Sequence, residues 1–115
     1  MVAYSFQGRF ADAVASGAKR QTIRAARKRR HARAGEMLQL YTGMRTKACR
    51  KLRDAVCVKS TYCAIYDESI TTGDHPPADL DEFAQRDGFA DFADMTDWFR
   101  EMHGLPFIGQ LIVWK

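Results

Sequence analysis

Six cations, Arg24, Arg27, Lys28, Arg29, Arg30 and Arg33, fall within ten residues of one another. Guanidinium and ammonium groups at that density gather phosphate-bearing ligands, by an attraction that salt weakens. A second group, Arg45, Lys47, Arg50 and Lys51, follows and has the spacing to track a phosphate backbone. Tyr41 and Tyr62 beside these groups either stack on a base or pack across strands. Metal and disulfide chemistry find no such support. Cys49, Cys57 and Cys63 are odd in number and contain no C-x-x-C pair, and His31, His75 and His103 are scattered. The expectation is therefore no metal and no cofactor, with cysteines acting as small buried apolar residues.

The charge is unevenly placed. Net charge is only +4, yet residues 1–66 hold 15 Lys/Arg against 3 Asp/Glu, while residues 67–101 hold 2 against 11. Such asymmetry predicts two faces of opposite sign, or an acidic part that neutralises the basic strands. With 115 residues, 46% of them hydrophobic, the chain can build one core, so a single domain over 1–115 is expected. No apolar run approaches the roughly 20 residues of a membrane helix, and MVAYSFQGRF does not read as a secretory signal, so a cytoplasmic location is expected.

The elements that must position these residues follow from periodicity. Phe6, Phe10 and Val14 recur at spacing four and predict a helix over 6–16, stopped by Gly17. Residues 20–24 read as a short strand, and the basic run after it as an exposed loop. Met37–Thr42 reads as a strand with Leu38 and Leu40 on one face. Val56 and Val58 alternate in a strand and Tyr62–Tyr66 makes another, unless the two are one bent strand. Residues 67–78 read as a loop. Asp79 with Glu82 resembles a capping box for a helix with Leu80, Phe83 and Ala84 inward, ended at Gly88. Asp91 caps the next, with Phe92, Met95, Phe99 and Met102 inward. Phe107–Trp114 is apolar at nearly every position and predicts a central strand buried on both faces. Trp98 and Trp114 are expected in the core. Strands and helices do not alternate regularly, so the fold class is α+β, a curved mixed or antiparallel sheet or barrel with packed helices.

The stretch SGAKRQTIRAARKRRHARAGEMLQLYTGMRTKACRKL resembles the start of ASCH domains, members of the PUA-like β-barrel superfamily. DGFADFADMTDWFREMHGLPFIGQLIVWK resembles their close, with a Gly-Phe step, an amphipathic helix and a last strand. The resemblance rests on G-x-K-x-x-T-I-R, G-E-x-L-x-L-Y-T-G and the C-terminal elements together. It implies a small β-barrel whose cleft holds RNA or a nucleoside. In members of about this length it implies an amidohydrolase that removes the acyl group from N4-acetylcytidine, through a K-x-x-T motif and a downstream acid. Lys19 and Thr22 match K-x-x-T. The acid falls at Asp87, in QRDGF, with Glu82 the alternative. Arg20, Arg24, Tyr41, Arg45, Lys47 and Arg50 are then expected to meet a nucleoside or single-stranded RNA. A non-catalytic RNA-binding module and a metal-independent ribonuclease remain as other readings.

The implied chemistry sets conditions. A threonine hydroxyl is a weak nucleophile until a base takes its proton, and a lysine serves only when neutral, well below its free pKa of about 10.4. Burial and the charges of Arg20 and Arg24 lower it; an ionised Asp87 raises it. The oxyanion could be met by backbone amides near Gly17 and Ala18 or by the Lys19 ammonium. Residues three apart in a strand point to opposite faces, so Lys19 can join Thr22 only from the turn after Gly17. A lysine beside a turn is expected to be removable without loss of the fold. It is equally what a solvated lysine at a helix C-terminus looks like.

Overall fold

The computed structural model describes residues 1–115. The chain runs β1 (Val2–Phe6), α1 (Gly8–Ser16), β2 (Gln21–Ala25), β3 (Met37–Thr42), β4 (Arg50–Ile65), β5 (Ile70–Thr72), α2 (Leu80–Arg86), α3 (Phe92–Met102) and β6 (Phe107–Trp114). The sheet order is β1-β3-β4-β6-β2, with β5 paired to β4. Only β1 and β3 are parallel, so the sheet is mixed. β4 is the spine: Arg50–Val56 pair with β3 and Cys57–Ile65 with β6. A sixteen-residue strand shared in this way must bend, and it does so at a register shift between Cys57 and Lys59.

The sheet does not close into a barrel. β1 and β2 are its two edges, and no strand pairing joins them. A side chain spans the seam instead. Arg24, on β2, donates from Nη2 to the Ser5 carbonyl of β1 at 2.8 Å, and its guanidinium lies over the Tyr4 and Phe6 rings at 5.2 and 4.7 Å. The loop after β2 folds back over the same edge. His31 stacks on Tyr4, Nδ1 lies 3.0 Å from the Tyr4 hydroxyl, and Nε2 lies 2.8 Å from the Ala25 carbonyl.

Several local expectations are corrected. Phe6 belongs to β1, whose alternation buries Tyr4 and Phe6, and the helix begins at Gly8. The inward residues at the bend of β4 are Ala55 and Cys57; Val58 sits at the register shift and turns outward. Of the two readings for 56–66 the single bent strand holds, since β4 continues to Ile65, and the loop after it contains β5. Met102, in the last turn of α3, is exposed, as are Cys49 and Ile108. Trp114 is core, whereas Trp98 is half-buried. β6 lies between β4 and β2, and Leu111, Ile112 and Trp114 are buried. No helix is long and apolar enough to cross a membrane.

Glu36 anchors the basic loop. It accepts both Arg30 terminal nitrogens at 2.6 and 2.8 Å and the Arg33 amide at 2.6 Å, which hold its carboxyl down to about 2, below the usual 4.5. A carboxyl with a lowered folded-state pKa stabilises above its unfolded pKa and loses that contribution as pH falls through the folded one. The loop is thus expected to loosen between pH 4.5 and about 2. Protection of the Arg33 amide, its exchange relative to the intrinsic rate, should fall over that window in wild type, and in Glu36→Gln should be low throughout. Unchanged Arg33 exchange in the variant would remove this role.

Candidate functional site

The turn after α1 sets up the site. Gly17 takes the left-handed conformation at φ 87°, and the Lys19 amide then bonds back to the Ala13 carbonyl at 2.9 Å. Lys19 therefore precedes the strand, free of its alternation, and turns inward: it is 2% exposed. It is not a solvated helix-end lysine, and its removal should disturb the fold.

The opposite wall comes from the end of α2. Asp87 caps that helix and is followed by Gly88 at φ +97°. A Cβ at Gly88 would lie 3.0 Å from Phe10 Cδ1 and 3.1 Å from Lys19 Cδ, so only glycine lets this corner close over the lysine. Lys19 Nζ donates to the Asp87 carbonyl oxygen and sits 3.6 Å from its carboxylate Oδ2. Gln21 Nε2 donates to Oδ1 at 3.2 Å. Phe6 and Phe10 pack around the amine, their ring centres 5.7 and 5.0 Å from Nζ.

Thr22 is also buried and lines the same cavity as Lys19, Arg24 and Asp87. No hydrogen bond joins its hydroxyl to the lysine; Oγ1 instead accepts from Arg24 Nε at 2.9 Å. The cavity measures about 200 Å³. That is below the roughly 300–1,000 Å³ of pockets for drug-sized ligands, and suits one small planar group. Ser5 and Gln7 border it from the β1 edge. Phe10, Phe89, Trp98, Phe99 and Phe107 give it an aromatic wall, with neighbouring centroids 4.9 to 6.2 Å apart.

Electrostatics here follow burial. Desolvation lowers the Lys19 pKa from 10.5, against the attraction of Asp87. The same desolvation raises the Asp87 pKa from 3.8, against Lys19 and the Gln21 hydrogen bond. Both groups are pushed toward their neutral forms, which brings the amine within reach of base chemistry and lets the pair exchange a proton internally. Arg24 is lowered by burial to about 10 and stays a cation at neutral pH.

The remaining candidates lie elsewhere. Glu82 is exposed on α2 and pairs with Arg86 at 3.3 Å. Arg20 is exposed and faces a second cavity. Arg45, Lys47 and Arg50 are exposed and Tyr41 is half-buried; none borders the Lys19 cavity. Sequence reasoning missed Gln21, Ser5, Gln7, Phe89 and His103 as lining or supporting residues. Period-two burial across Val2–Phe6 was a usable signal for β1; nothing in the sequence singles out Gln21. No group of three or more His, Cys, Asp or Glu side chains could hold a metal ion. Comparison of the chain with protein-family models, curated proteins and solved structures finds no match.

Proposed function

We propose that the chain is a PUA-like ASCH domain whose cavity hydrolyses the acyl amide of N4-acetylcytidine-type nucleosides. The observation that carries this reading is the buried amine of Lys19, held by Asp87 in an aromatic cavity with a hydroxyl and a guanidinium. Cytosine with its acyl group is a flat unit suited to an aromatic wall. Thr22 Oγ1 attacks the acyl carbonyl carbon while its proton passes, through one water, to neutral Lys19 Nζ. Arg24 faces the oxyanion; its Nη1 makes no bond within the protein and is free to donate. The C–N4 bond then breaks, and the proton on Lys19 goes to the leaving nitrogen. Water attacks the threonyl ester while Lys19 takes its proton; the ester C–O bond then breaks, Lys19 returns that proton to Thr22 Oγ1, and the free acid leaves.

The experiment that tests the acidic partner is chromatography of N4-acetylcytidine reactions with two variants. Asp87→Asn is expected to slow release of cytidine and acid by about 10²-fold or more, whereas Glu82→Gln leaves it unchanged. A chelator should have no effect in either. The reverse ranking would assign the acid to Glu82 and dismantle the buried pair as the catalytic base.

A second reading, binding of single-stranded RNA without chemistry, is favoured by one observation. Arg27–Arg30, Arg33, Arg45, Lys47, Arg50, Lys51 and Arg53 are all exposed and outside the cavity. Affinity for a labelled single-stranded RNA should fall with salt at a log–log slope of about −0.7 per phosphate contact. Affinity indifferent to salt would count against a phosphate-tracking role for these residues.

A further inference from the structure

A second cavity lies beside Gln21. It measures about 370 Å³, larger than the first, and Gln21 forms part of its lining while its amide holds Asp87. Arg20, Lys59, His75 and Arg86 line it, and no Asp or Glu does. The cations are available to different degrees. Arg20 forms no ion pair; Arg86 pairs with Glu82 at 3.3 Å with both side chains about 60% exposed, and Lys59 pairs with Asp74 at 2.5 Å. Exposed pairs of this kind contribute little and are readily exchanged for a better anion.

The lining is not cationic throughout. Phe83, Leu111, Val113 and Trp114 contribute apolar surface. Trp114 carries a second anomaly: its indole Nε1–H is the one buried side-chain polar atom in the protein without a hydrogen-bond partner. A buried donor with no acceptor costs free energy, and native structures retain few of them. Trp114 lines the cavity, so its indole proton is placed to report a ligand bound there.

We infer that this cavity is a second ligand site, built for a small organic phosphate of the mononucleotide type. The phosphate sits among Arg20, Arg86 and Lys59, where guanidinium groups can bind it with two parallel hydrogen bonds. The heteroaromatic part lies against the apolar lining, where Val113 is only half-buried. A bare inorganic anion would use the cations and leave the apolar lining idle; a neutral nucleoside would do the opposite. The inference stands apart from the amidohydrolase reading, because the two cavities share no lining residue; Gln21 lines the second and reaches the first only through its hydrogen bond to Asp87.

The test is a nuclear magnetic resonance titration at low salt with adenosine 5′-monophosphate, with adenosine and inorganic phosphate as separate probes. The protein has two tryptophans, and Trp98→Phe assigns their indole N–H signals. The expected result is a saturable shift of the Trp114 indole proton with the monophosphate. Adenosine and inorganic phosphate should each bind about tenfold more weakly or worse. The double variant Arg20→Gln/Arg86→Gln should weaken monophosphate binding by about tenfold or more at unchanged melting temperature. No saturable shift at Trp114, binding indifferent to the double variant, or inorganic phosphate binding as tightly as the monophosphate would each overturn the inference.

Discussion

Lys19→Met is expected to abolish amide hydrolysis and, unlike most losses of a catalytic base, to weaken the fold. Removing a positioned base costs about 10²–10⁴-fold in rate. Removing one partner of a buried ion pair costs about 3–5 kcal/mol, because the other charge is stranded. Asp87 is fully enclosed, and Gln21 is its only other side-chain partner. The stranded carboxyl escapes by taking a proton, since burial already raises its pKa and the variant loses the opposing attraction of Lys19. A group with a raised folded-state pKa contributes stability below its unfolded pKa and loses it as pH rises through the folded one. Lys19→Met should therefore melt higher at pH 5 than at pH 8. Lys19→Met/Asp87→Asn, which strands no charge, should recover most of the stability and lack that dependence, while staying inactive. Melting curves at the two pH values check this. A Lys19→Met protein as stable as wild type at pH 8 would mean that the amine and carboxylate do not support each other.

The second large effect is expected at Thr22. Thr22→Val keeps the shape, deletes the nucleophile, and leaves Arg24 Nε without its 2.9 Å acceptor. Stability should fall by about 1.5–3 kcal/mol, the worth of one hydrogen bond to a charged group, while hydrolysis falls by about 10³-fold or more. Thr22→Ser should retain measurable activity, because it keeps a hydroxyl on the same strand face. Arg24→Gln removes the oxyanion donor and the bridge to Ser5 together, so it should lower both rate and stability. If Thr22→Val hydrolyses at the wild-type rate, water rather than the threonine attacks the carbonyl.

What could be read from the residues differs from element to element. β6 was legible because Phe107–Trp114 is apolar through its length, and α3 because Met95 and Phe99 repeat at helical spacing beneath an Asp91 cap. β1 was not, because Phe6 falls at spacing four from Phe10 and was absorbed into a helical pattern that starts two residues later. The residues leave β4 open between two strands and one bent strand, because Val58 turns outward at the bend and interrupts the alternation. At the site, Lys19 and Thr22 were found through K-x-x-T, but the burial of Lys19 was not. Nothing local announces that α2 ends against it, a contact spanning 68 residues. In the sequence Gly88 reads as a helix stop, while its closer constraint is the approach of Lys19 and Phe10. Open seams between edge strands are likewise invisible to periodicity, which is why Arg24 could be singled out as a ligand contact but not as the bridge to Ser5.

The most direct measurement is the ultraviolet absorbance of N4-acetylcytidine incubated with wild-type protein, free of added metal, across pH 5 to 10. The account predicts conversion to the cytidine spectrum with a bell-shaped pH profile. Its acid limb reflects a second proton on the Lys19–Asp87 pair, and its alkaline limb the loss of the last one. Both limbs should depart from the free values of 3.8 and 10.5, because burial raises the Asp87 pKa and lowers that of Lys19. A wild-type protein that binds the nucleoside yet leaves its spectrum unchanged at every pH would contradict the account and reduce Lys19, Thr22 and Asp87 to ligand contacts.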